Sequence, residues 1–525
     1  MQLRPYQQRA VNLLLSHIEN YPDATPIGWL PTGSGKSVVA GALATEMVRG
    51  QHGGAALIVT HRRELVAQNA SKLPHHVKGS IFSAGLGKKD LSGQVIFASI
   101  QSLAKHAHKL PRLHGIVIDE PQYAAAGYYD FVETVKQFSP QVRTIGLTAT
   151  PYTGNGTWLY MTKDKRLFTG IAAEVGLGEL LQLGHLAPLT PYLATAHVST
   201  EGARIDSRTG DYSAKDLQAL ADVPDLVIKC AIEIESIFAE RNSVLVFCTG
   251  IAHTEHMAQA LGAQADVVTS KTSTAERDRI IGDFRSGKLK YLCSCEVVLV
   301  GFDATNTDGI ACLRPTTSPL IWVQLLGRGM RPHPGKADCL VADFTDNSIE
   351  FPPVDEIEGH APKDKLGDTP TKVCDECFSL ILAGLQVCPV CGHDFPPFQY
   401  HEAQLDPETG LLISGVIKNE DGSRTYPVSD VTYDLRATRA GAWALVAYYH
   451  APGRKSPVAE TWYNLFHHTP SVASGAGTLW MKRALMPGIP HNPQDALARA
   501  EMGGLKTPRT VTIKPGSPFP IRMGA

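Results

Sequence analysis

The residues best suited to chemistry begin with a glycine-rich run near the start of the chain, Thr32-Gly33-Ser34-Gly35-Lys36-Ser37. In such a run, glycine backbone N–H groups face phosphates, the lysine reaches the β and γ phosphates and the serine hydroxyl holds Mg²⁺. The strict motif has glycine at position 30, where this chain has Leu30. The run nevertheless lies between a predicted strand and a predicted helix, which is the context that phosphate binding requires. We therefore predict that it binds ATP, with Ser37 as an Mg²⁺ ligand and Lys36 as a catalytic residue.

A second candidate is the acidic pair Asp119 and Glu120, at the end of the apolar run that starts at Ile116. In nucleotide hydrolases, one carboxylate in this place holds Mg²⁺ and its neighbour polarises the attacking water. An apolar strand that ends in Asp-Glu is mostly structural when it stands alone, so the assignment depends on the phosphate loop that precedes it. We predict that Asp119 is an Mg²⁺ ligand and that both carboxylates are catalytic.

Four cysteines near the middle of the C-terminal half form two C-x-x-C pairs, Cys374 with Cys377 and Cys388 with Cys391. Each pair suits a metal-binding knuckle, and four thiolates make a closed tetrahedral Zn²⁺ site. Because such a site has no open position for water or substrate, the predicted zinc is structural. Free core cysteines and a redox pair are the alternatives. The other six cysteines lie in apolar segments, which indicates a reducing compartment rather than a disulfide framework.

Parallel βαβ units are the elements that must position the phosphate loop and the acidic pair. Short apolar runs alternate with helical patterns, and this alternation is typical of parallel sheets. A weakly patterned stretch at 184–215 separates the two series of runs. Ser273-Thr274-Ala275-Glu276 is a capping box that predicts a helix start in the second series. The predicted strands are 27–30, 55–60, 95–99, 116–119 and 144–150, and then 244–248, 267–269, 291–295, 310–313 and 339–344.

The predicted fold class is α/β with two tandem parallel-sheet domains, followed by a zinc ribbon and a small α+β domain. The C-terminal segment is rich in aromatic residues interspersed with cations, a composition that can stack on single-stranded nucleic acid. Packing of these aromatics into the core of a small domain is the preferred alternative. The predicted boundaries are 1–188 and 189–351 for the α/β domains, 352–371 for a linker, 372–400 for the ribbon and 401–525 for the accessory domain.

Composition excludes several classes of protein. The chain has 49 basic and 51 acidic residues, so no global positive field indicates a nucleic-acid partner and any such binding must be local. Hydrophobic residues make up 43% and mean hydropathy is −0.08, as in ordinary globular chains. The first residues lack a signal-peptide or transit pattern, and no apolar run approaches the roughly 20 residues that cross a bilayer. We therefore expect a cytoplasmic protein with no membrane partner.

The order of the motifs resembles that of superfamily-two helicases and translocases over about residues 1–345. Arg4-Pro5-Tyr6-Gln7 resembles the Q motif, in which Gln7 would read the adenine edge, and Gly301-Phe302-Asp303 resembles motif V. Thr148-Ala149-Thr150 resembles motif III, which in this family couples hydrolysis to domain movement. The resemblance implies that both domains are RecA-like, that ATP binds in the cleft between them and that Arg4, Gly301 and Asp303 join the nucleotide site.

Motif VI of the family is matched by residues 324–331, and the resemblance implies that Gln324, Arg328 and Arg331 in this run are catalytic. Charge on the transferred phosphoryl group must be neutralised by a cation that arrives when the domains close, so Arg331, with Arg328, is the predicted arginine finger. Two arginines on a solvated helix face are the alternative. In motif II, Gln122 stands where the family usually has His or Asp. A glutamine can still hydrogen-bond across the cleft, so we predict a catalytic role, outside the DEAD-box and DEAH-box subgroups.

Three further motifs imply contacts with a nucleic-acid strand. Residues 60–65 resemble motif Ia, residues 99–102 a further strand-contacting motif and residues 247–249 motif IV. The residues that would make these contacts are His61, Arg62, Ser99, Gln101 and Thr249.

A helicase core followed by a zinc ribbon and a small domain is similar to the bacterial RadD group of DNA-repair helicases and related phage proteins. The runs that carry this finer resemblance are 3–8, 64–69, 84–86 and 301–316. It implies an ATP-hydrolysing DNA helicase or translocase in repair, recombination or replication, with repair or replication proteins as candidate partners. The chain has fewer zinc-type cysteines than that group. A duplex translocase or remodeller without strand separation, a nucleotide-gated clamp and an RNA helicase are the alternatives.

Overall fold

Two parallel β-sheets dominate the computed structural model of the chain. The structure describes residues 3–51, 53–206, 209–295 and 304–361, and shorter stretches at 371–373, 380–382, 416–419, 423–437, 443–451, 457–463, 465–466, 480, 490–502, 505, 507–513 and 520–524. The first sheet and its helices are called the first lobe, and the second sheet and its helices the second lobe.

The first lobe contains an eight-stranded sheet with helices on both faces. Its strands are β1 (Pro26–Trp29), β2 (Ala55–Thr60), β3 (Gly79–Ser83), β4 (Lys88–Lys89), β5 (Val95–Ser99), β6 (Leu113–Asp119), β7 (Arg143–Thr148) and β8 (Gly170–Glu174). Its helices are α1 (Pro5–Asn20), α2 (Lys36–Val48), α3 (Arg63–Ala70), α4 (Ile100–Leu103), α5 (Ala125–Lys136) and α6 (Leu177–Gln182).

Strand order in the first lobe explains how distant motifs meet. The order is β4-β3-β5-β2-β6-β7-β1-β8, and every neighbouring pair except β3 and β4 is parallel. Carboxyl ends of parallel strands share one edge, where ligands of open α/β sheets bind. The phosphate loop follows β1, the acidic pair ends β6 and Thr148 ends β7 between them. The sheet therefore brings all three motifs to the same edge.

The second lobe contains a six-stranded sheet in the order β11-β12-β10-β13-β14-β9, with all neighbours parallel. Its strands are β9 (Leu189–Leu193), β10 (Val244–Phe247), β11 (Ala265–Val268), β12 (Tyr291–Ser294), β13 (Gly309–Cys312) and β14 (Cys339–Asp343). Its helices are α7 (Ala214–Ala221), α8 (Pro224–Ile237), α9 (Ile251–Leu261), α10 (Thr274–Arg285), α11 (Pro319–Gly329) and α12 (Asn347–Glu350).

The predicted α/β fold with two parallel sheets is confirmed by these two lobes. Helix α10 begins as predicted, because the Ser273 side chain accepts a hydrogen bond from the backbone N–H of Glu276 at 3.3 Å. Strand β9 lies in the stretch where the sequence shows little pattern. It is an edge strand whose side chains are half-buried or exposed, so it lacks the continuous apolar run of a central parallel strand.

The C-terminal part of the chain contains antiparallel strands. Strands β15 (Thr371–Val373) and β16 (Leu380–Leu382) pair with each other, and α13 (Pro493–Glu501) is the helix described in this part. Strands β17 (Ile417–Lys418) and β18 (Arg424–Pro427) share a sheet with β22 (Thr510–Ile513) and β23 (Pro520–Gly524), while β19 (Asp430–Ala437), β20 (Trp443–His450) and β21 (Ala459–Tyr463) form another.

Aromatic residues of this region divide between a core and a surface. Tyr449, Tyr463 and Trp480 are buried, and Tyr463 and Trp480 pack edge to face, whereas 52% of the Trp443 surface is exposed. The predicted zinc ligands, Cys374, Cys377, Cys388 and Cys391, lie outside the described residues. Within the described residues, no group of three or more His, Cys, Asp or Glu side chains is placed to hold a metal ion, and no helix is long and apolar enough to span a bilayer.

The first part of the predicted linker is packed against the first lobe. Val354 and Ile357 are buried, and the backbone of His360 bonds to Gly156 and Trp158 at 2.8 and 3.1 Å. Because prolines and charged residues dominate this segment, its sequence predicts a linker and does not indicate that these two apolar side chains pack against the rest of the protein. The chain thus returns from the second lobe to the first before it reaches the C-terminal strands.

Candidate active site between the two lobes

A cleft of about 440 Å³ lies between the two lobes and is lined by predicted site residues from both. The first lobe contributes the phosphate loop, the acidic pair and one wall from α3. The second lobe contributes the end of α11 and the residues that follow it. The predicted residues on its walls are Arg4, Thr32, Gly33, Gly35, Lys36, Ser37, Asp119, Glu120, Gln324, Arg328 and Arg331.

The phosphate loop turns tightly between β1 and α2. Gly33 and Gly35 have φ of +87° and +84°, a left-handed conformation that a side chain would strain. A Cβ on Gly35 would also lie 2.5 Å from Nε2 of Gln7. Glycine therefore lets the loop approach α1 and lets α2 start with its free N–H groups and positive dipole end at the cleft.

Lys36 and Glu120 form an ion pair inside the cleft, with Nζ 3.2 Å from Oε1 and both side chains largely buried. Burial raises the pKa of Glu120, but Lys36 and hydrogen bonds from Gln122 and Thr148 outweigh burial and lower it below its usual value. Burial and the neighbouring Glu120 charge together raise the pKa of Asp119. The two carboxylates thus differ: the pKa of Glu120 is lowered and its anion is favoured, whereas for Asp119 burial and the Glu120 charge outweigh the Asn69 hydrogen bond and the Lys36 charge, which lower the pKa.

Glu120 also has an unusual backbone. Its φ is +55°. Among the described non-glycine residues, only Lys165, at +47°, also has a positive φ. Strain of this kind persists when the surroundings fix the conformation, and it clusters at functional sites. A backbone hydrogen bond of 2.9 Å from Glu120 to Leu147 provides part of that constraint. The turn points the Glu120 carboxylate toward the phosphate loop, as its ion pair shows.

Gln122 connects the acidic pair to motif III. Its Nε2 donates to Glu120 at 2.6 Å and to the Thr150 hydroxyl at 3.1 Å, and Thr148 lies 2.8 Å from its Oε1. Gln324 of the second lobe also donates to the Thr150 hydroxyl, at 3.4 Å. The described hydrogen bonds of Gln122 are therefore all within the first lobe. Among the described residues, its hydrogen-bonded link to Gln324 of the second lobe passes through the Thr150 hydroxyl, to which both side chains donate.

Arg328 and Arg331 face the phosphate loop from the second lobe. Arg328 is 4% exposed at the end of α11, and Arg331 follows that helix. The lobes are close here, since a Cβ on Gly33 would lie 3.6 Å from Cγ of Arg331. This placement suits cations that neutralise phosphate charge in a closed cleft, and the alternative of a solvated helix face does not describe the buried Arg328.

Gln7 and Tyr6 hold the phosphate loop from α1. Both side chains donate to the backbone oxygen of Ser34, at 2.9 Å from Gln7 and 2.8 Å from Tyr6. Oε1 of Gln7 accepts from the backbone N–H of Arg4 at 3.0 Å. Gln7 thus ties loop and helix together, and reading of adenine by its remaining hydrogen-bonding capacity stays a prediction.

Asn69 and Tyr123 are two residues of the site that sequence patterns did not indicate. Asn69 on α3 donates from Nδ2 to Oδ2 of Asp119 at 2.8 Å. The Tyr123 ring lines the cleft and stacks on His61, with ring centroids 4.5 Å apart. The sequence contains one indication for each residue, which is its position next to a recognised motif. Asn69 ends the run 64–69, and Tyr123 follows shortly after the acidic pair.

The predicted nucleic-acid contacts in motif Ia lie next to the cleft. Burial and the neighbouring Arg62 lower the pKa of His61 to about 4, so the imidazole is neutral at physiological pH. Arg62 is exposed, and its Nε lies 3.2 Å from Nε2 of His61. Arg62 is therefore available to a phosphate, while His61 packs against the active site.

The other predicted contacts differ in exposure. Gln101 is exposed, whereas Ser99 is 6% exposed and bonds to Ser102 at 2.8 Å. Thr249 is 3% exposed, with its hydroxyl 2.9 Å from Nδ1 of His253. Contact between nucleic acid and these two buried hydroxyls would require their surroundings to move, and the roles stay predictions. Gly301 and Asp303 of motif V lie outside the described residues.

Two family models match the lobes. Residues 1–153 match "Type III restriction enzyme, res subunit", and residues 227–333 match "Helicase conserved C-terminal domain". The first match contains the phosphate loop and ends after motif III, and the second contains motifs IV to VI. The cleft thus lies between the two matched regions.

Several curated proteins are similar to the chain. "Putative ATP-dependent helicase IRC3" of Saccharomyces cerevisiae is 27% identical over 65% of this chain, and "Putative mitochondrial ATP-dependent helicase irc3" of Schizosaccharomyces pombe is 27% identical over 70%. The chain spans 51% and 62% of their respective lengths. A 51.5 kDa protein of a Lactococcus phage is 26% identical over 74% of this chain and 82% of its own length.

Among solved structures, a fragment of a putative HsdR subunit of a type I restriction enzyme from Vibrio vulnificus shares the fold. Its TM-score is 0.52, with 19% identity over 68% of this chain and 67% of the fragment.

Proposed function

We propose that this chain, whose two lobes form a superfamily-2 helicase core, is an ATP-dependent DNA helicase or translocase. The observation that carries the proposal is the cleft itself. It holds a phosphate loop and two carboxylates on one lobe opposite two arginines on the other. Hydrolysis at such a site depends on how the lobes meet, so opening and closing can be coupled to steps along a strand.

The residues of the cleft fit a nucleotide with Mg²⁺. Ser37 and Asp119 offer oxygen ligands, which Mg²⁺ prefers, and Oδ1 of Asn69 is a buried acceptor without a partner among the described residues. Bound Mg²⁺ supplies positive charge that stabilises the oxygens of the β and γ phosphates. Lys36 neutralises the same oxygens, Glu120 polarises the attacking water, and Arg331 with Arg328 neutralises charge on the transferred group.

A DNA substrate and a role in repair, recombination or replication are supported by the resemblance to DNA-repair helicases. Exposed Arg62 and Gln101 at the edge of the first lobe offer side chains for a strand. The chain would work with repair or replication proteins as partners, and we place it in the cytoplasm. The six described cysteines are buried free thiols, which suits a reducing compartment.

A structural zinc in the ribbon is a separate part of the proposal and rests on the spacing of the four cysteines. Metal analysis of protein purified without chelator should find about one Zn²⁺ per chain. Cys388→Ser should lower that content, with Cys230→Ser, at a buried thiol of the second lobe, as the matched control. A native protein that carries no zinc would remove the ribbon from the proposal.

ATP turnover tests the function directly. It should be measured for the chain alone and then with single-stranded DNA, duplex DNA and RNA, each at one nucleotide concentration and one salt concentration. We expect strong stimulation by DNA, and strand displacement would then separate a helicase from a duplex translocase. Stimulation by RNA alone would replace the DNA assignment. If neither DNA nor RNA changes the rate of ATP turnover, the result would favour a nucleotide-gated clamp.

A further inference from the structure

We propose that Asn69 is a positioning residue of the magnesium site, which orients the Asp119 carboxylate with one end of its amide and holds a water of Mg²⁺ with the other. This inference rests on the proposed function, because it requires that the cleft bind a nucleotide with Mg²⁺. It adds a residue of α3 to a site otherwise built from the phosphate loop and the acidic pair.

The hydrogen bond to Asp119 fixes the direction of the amide. Asn69 has no exposed surface, and its Nδ2 lies 2.8 Å from Oδ2 of Asp119. A reversed amide would place two oxygens against each other, so the contact itself decides which end is nitrogen. Since one oxygen of Asp119 is engaged in this way, the carboxylate cannot rotate freely and its Oδ1 is left for the metal shell.

The other end of the amide lacks a partner. Oδ1 of Asn69 is buried and makes no hydrogen bond to any described residue. Buried amide oxygens in proteins are nearly always hydrogen-bonded. Mg²⁺ keeps several of its waters when it binds to protein carboxylates, and such a water can donate to a carbonyl oxygen. The unpartnered acceptor belongs to the side chain that already holds the predicted Mg²⁺ ligand.

The position of α3 supports a role at the site. Leu65, Gln68 and Lys72, which come from α3 and the turn after it, line the cleft. Asn69 lies among them on α3, is fully buried and donates to Asp119, which itself lines the cleft. If its role were only to attach α3 to β6, its removal would weaken nucleotide binding equally with and without Mg²⁺. A role at the magnesium site instead predicts a selective loss of the Mg²⁺ effect.

Binding of a fluorescent ADP analogue to the full chain separates these cases. Affinity is measured without divalent cation and over a range of Mg²⁺ concentrations for wild type, Asn69→Ala, Asn69→Leu and the control Ser71→Ala. Leucine resembles asparagine in shape but cannot form either hydrogen bond, so it preserves packing. Ser71 is an exposed residue that follows the same helix.

Without Mg²⁺, we expect both Asn69 variants to bind the analogue with wild-type affinity. The Mg²⁺ concentration that produces half of the change in affinity should be about 10-fold higher in both variants, as is typical when partners of metal ligands are removed. Ser71→Ala should behave as wild type. An unchanged Mg²⁺ requirement in both variants, or equal weakening with and without Mg²⁺, overturns the inference and leaves the proposed function standing. Wild-type binding that does not respond to Mg²⁺ overturns both.

Discussion

At the scale of single residues, the charge on Lys36 decides the state of Glu120. Burial raises the pKa of Glu120, and Lys36, 3.2 Å away, is the largest of the contributions that lower it. The same ammonium is the predicted partner of the β and γ phosphates. One substitution therefore tests both roles.

Lys36→Ala should lower kcat for ATP hydrolysis by about 100-fold to 1,000-fold, as loss of one transition-state donor does. Glu120 must be ionised to polarise water, so activity falls as pH drops through its pKa. Removal of Lys36 raises that pKa, and the acidic limb of the residual pH–rate profile should move to higher pH. Lys136→Ala on α5, at an exposed ion pair, is the matched control. Undiminished turnover of Lys36→Ala would remove the phosphate-loop assignment.

Gln122 tests whether the hydrogen-bonded connection between the acidic pair and motif III contributes to hydrolysis. Gln122→Leu keeps approximate shape but removes the bonds to Glu120, Thr148 and Thr150. Loss of hydrogen bonds to a charged group costs about 1.5–3 kcal/mol, which corresponds to about 10-fold to 150-fold in kcat. KM for ATP should change little, because Gln122 is not among the residues that line the cleft.

The control for this experiment is Gln137→Leu, at an exposed position after α5. Steady-state ATPase measurements on both variants, over a range of ATP concentrations, separate kcat from KM. A Gln122→Leu enzyme with wild-type kcat would show that the connection is structural and does not assist hydrolysis.

Residue types and spacing were sufficient to predict Lys36, Asp119 and Glu120, because each stands in a run whose chemistry is local. Asn69 could not be predicted in the same way. It meets Asp119 across 50 positions of sequence, and that contact exists only after α3 packs against β6. The two carboxylates also look alike in sequence, and their different pKa shifts arise from neighbours that folding supplies.

At the scale of elements, the turn from β1 into α2 depends on Gly35. Its φ of +84° disfavours any side chain, and a Cβ would lie 2.5 Å from Nε2 of Gln7. Gly35→Ala should therefore displace the loop from α1 and raise KM for ATP by about 10-fold or more, since about 1–3 kcal/mol of backbone strain is added. Nucleotide binding and thermal unfolding, measured together, check whether the effect is local.

Gly282→Ala provides the matched control, because Gly282 lies inside α10 and a Cβ there would meet nothing within 4 Å. Alanine should stabilise the protein by about 0.5–1 kcal/mol at this position and leave KM unchanged. If Gly35→Ala bound ATP as tightly as Gly282→Ala, the described turn would not be what positions the phosphates.

The central strands of both sheets were predictable because buried parallel strands require continuous apolar runs. Strand β9 was not predictable in this way, because an edge strand buries less of its side-chain surface and tolerates polar residues. The segment around Val354 and Ile357 shows a similar limit: two buried side chains among prolines and charges are enough to fix it, but too few to produce a pattern.

At the scale of the whole molecule, the proposed function predicts that activity depends on how closely the lobes approach each other. The lobes approach each other closely at Gly327 of α11, where a Cβ would lie 2.6 Å from Cβ of Thr32 in the phosphate loop. The family resemblance predicts a cleft between the two domains and the arginines that face it, but not the close approach of Gly327 to Thr32. That information comes from packing between residues almost 300 positions apart, for which sequence spacing gives no guide.

Gly327→Ala should separate closure of the cleft from nucleotide binding. The added methyl group meets Thr32 only when the lobes approach as described, so it opposes closure without touching the first lobe in an open state. We expect kcat to fall about 10-fold or more, because strain of about 1.4 kcal/mol is sufficient for that change. Affinity for a fluorescent ADP analogue should stay within about twofold of wild type, because we expect the phosphate loop of the first lobe to make most of the contacts with ADP.

Gly329→Ala, two residues along the same helix, distinguishes strain between the lobes from strain within one lobe. A Cβ there would lie 2.6 Å from Sγ of Cys339 on β14, inside the second lobe. This variant should lower the thermal unfolding temperature, because the clash is present in every folded state, whereas Gly327→Ala should not, since the lobes can separate to relieve it. If Gly327→Ala also unfolded at lower temperature with unchanged kcat, contact between α11 and the phosphate loop would be a fixed interface. The cleft would then not be a moving part of the catalytic cycle.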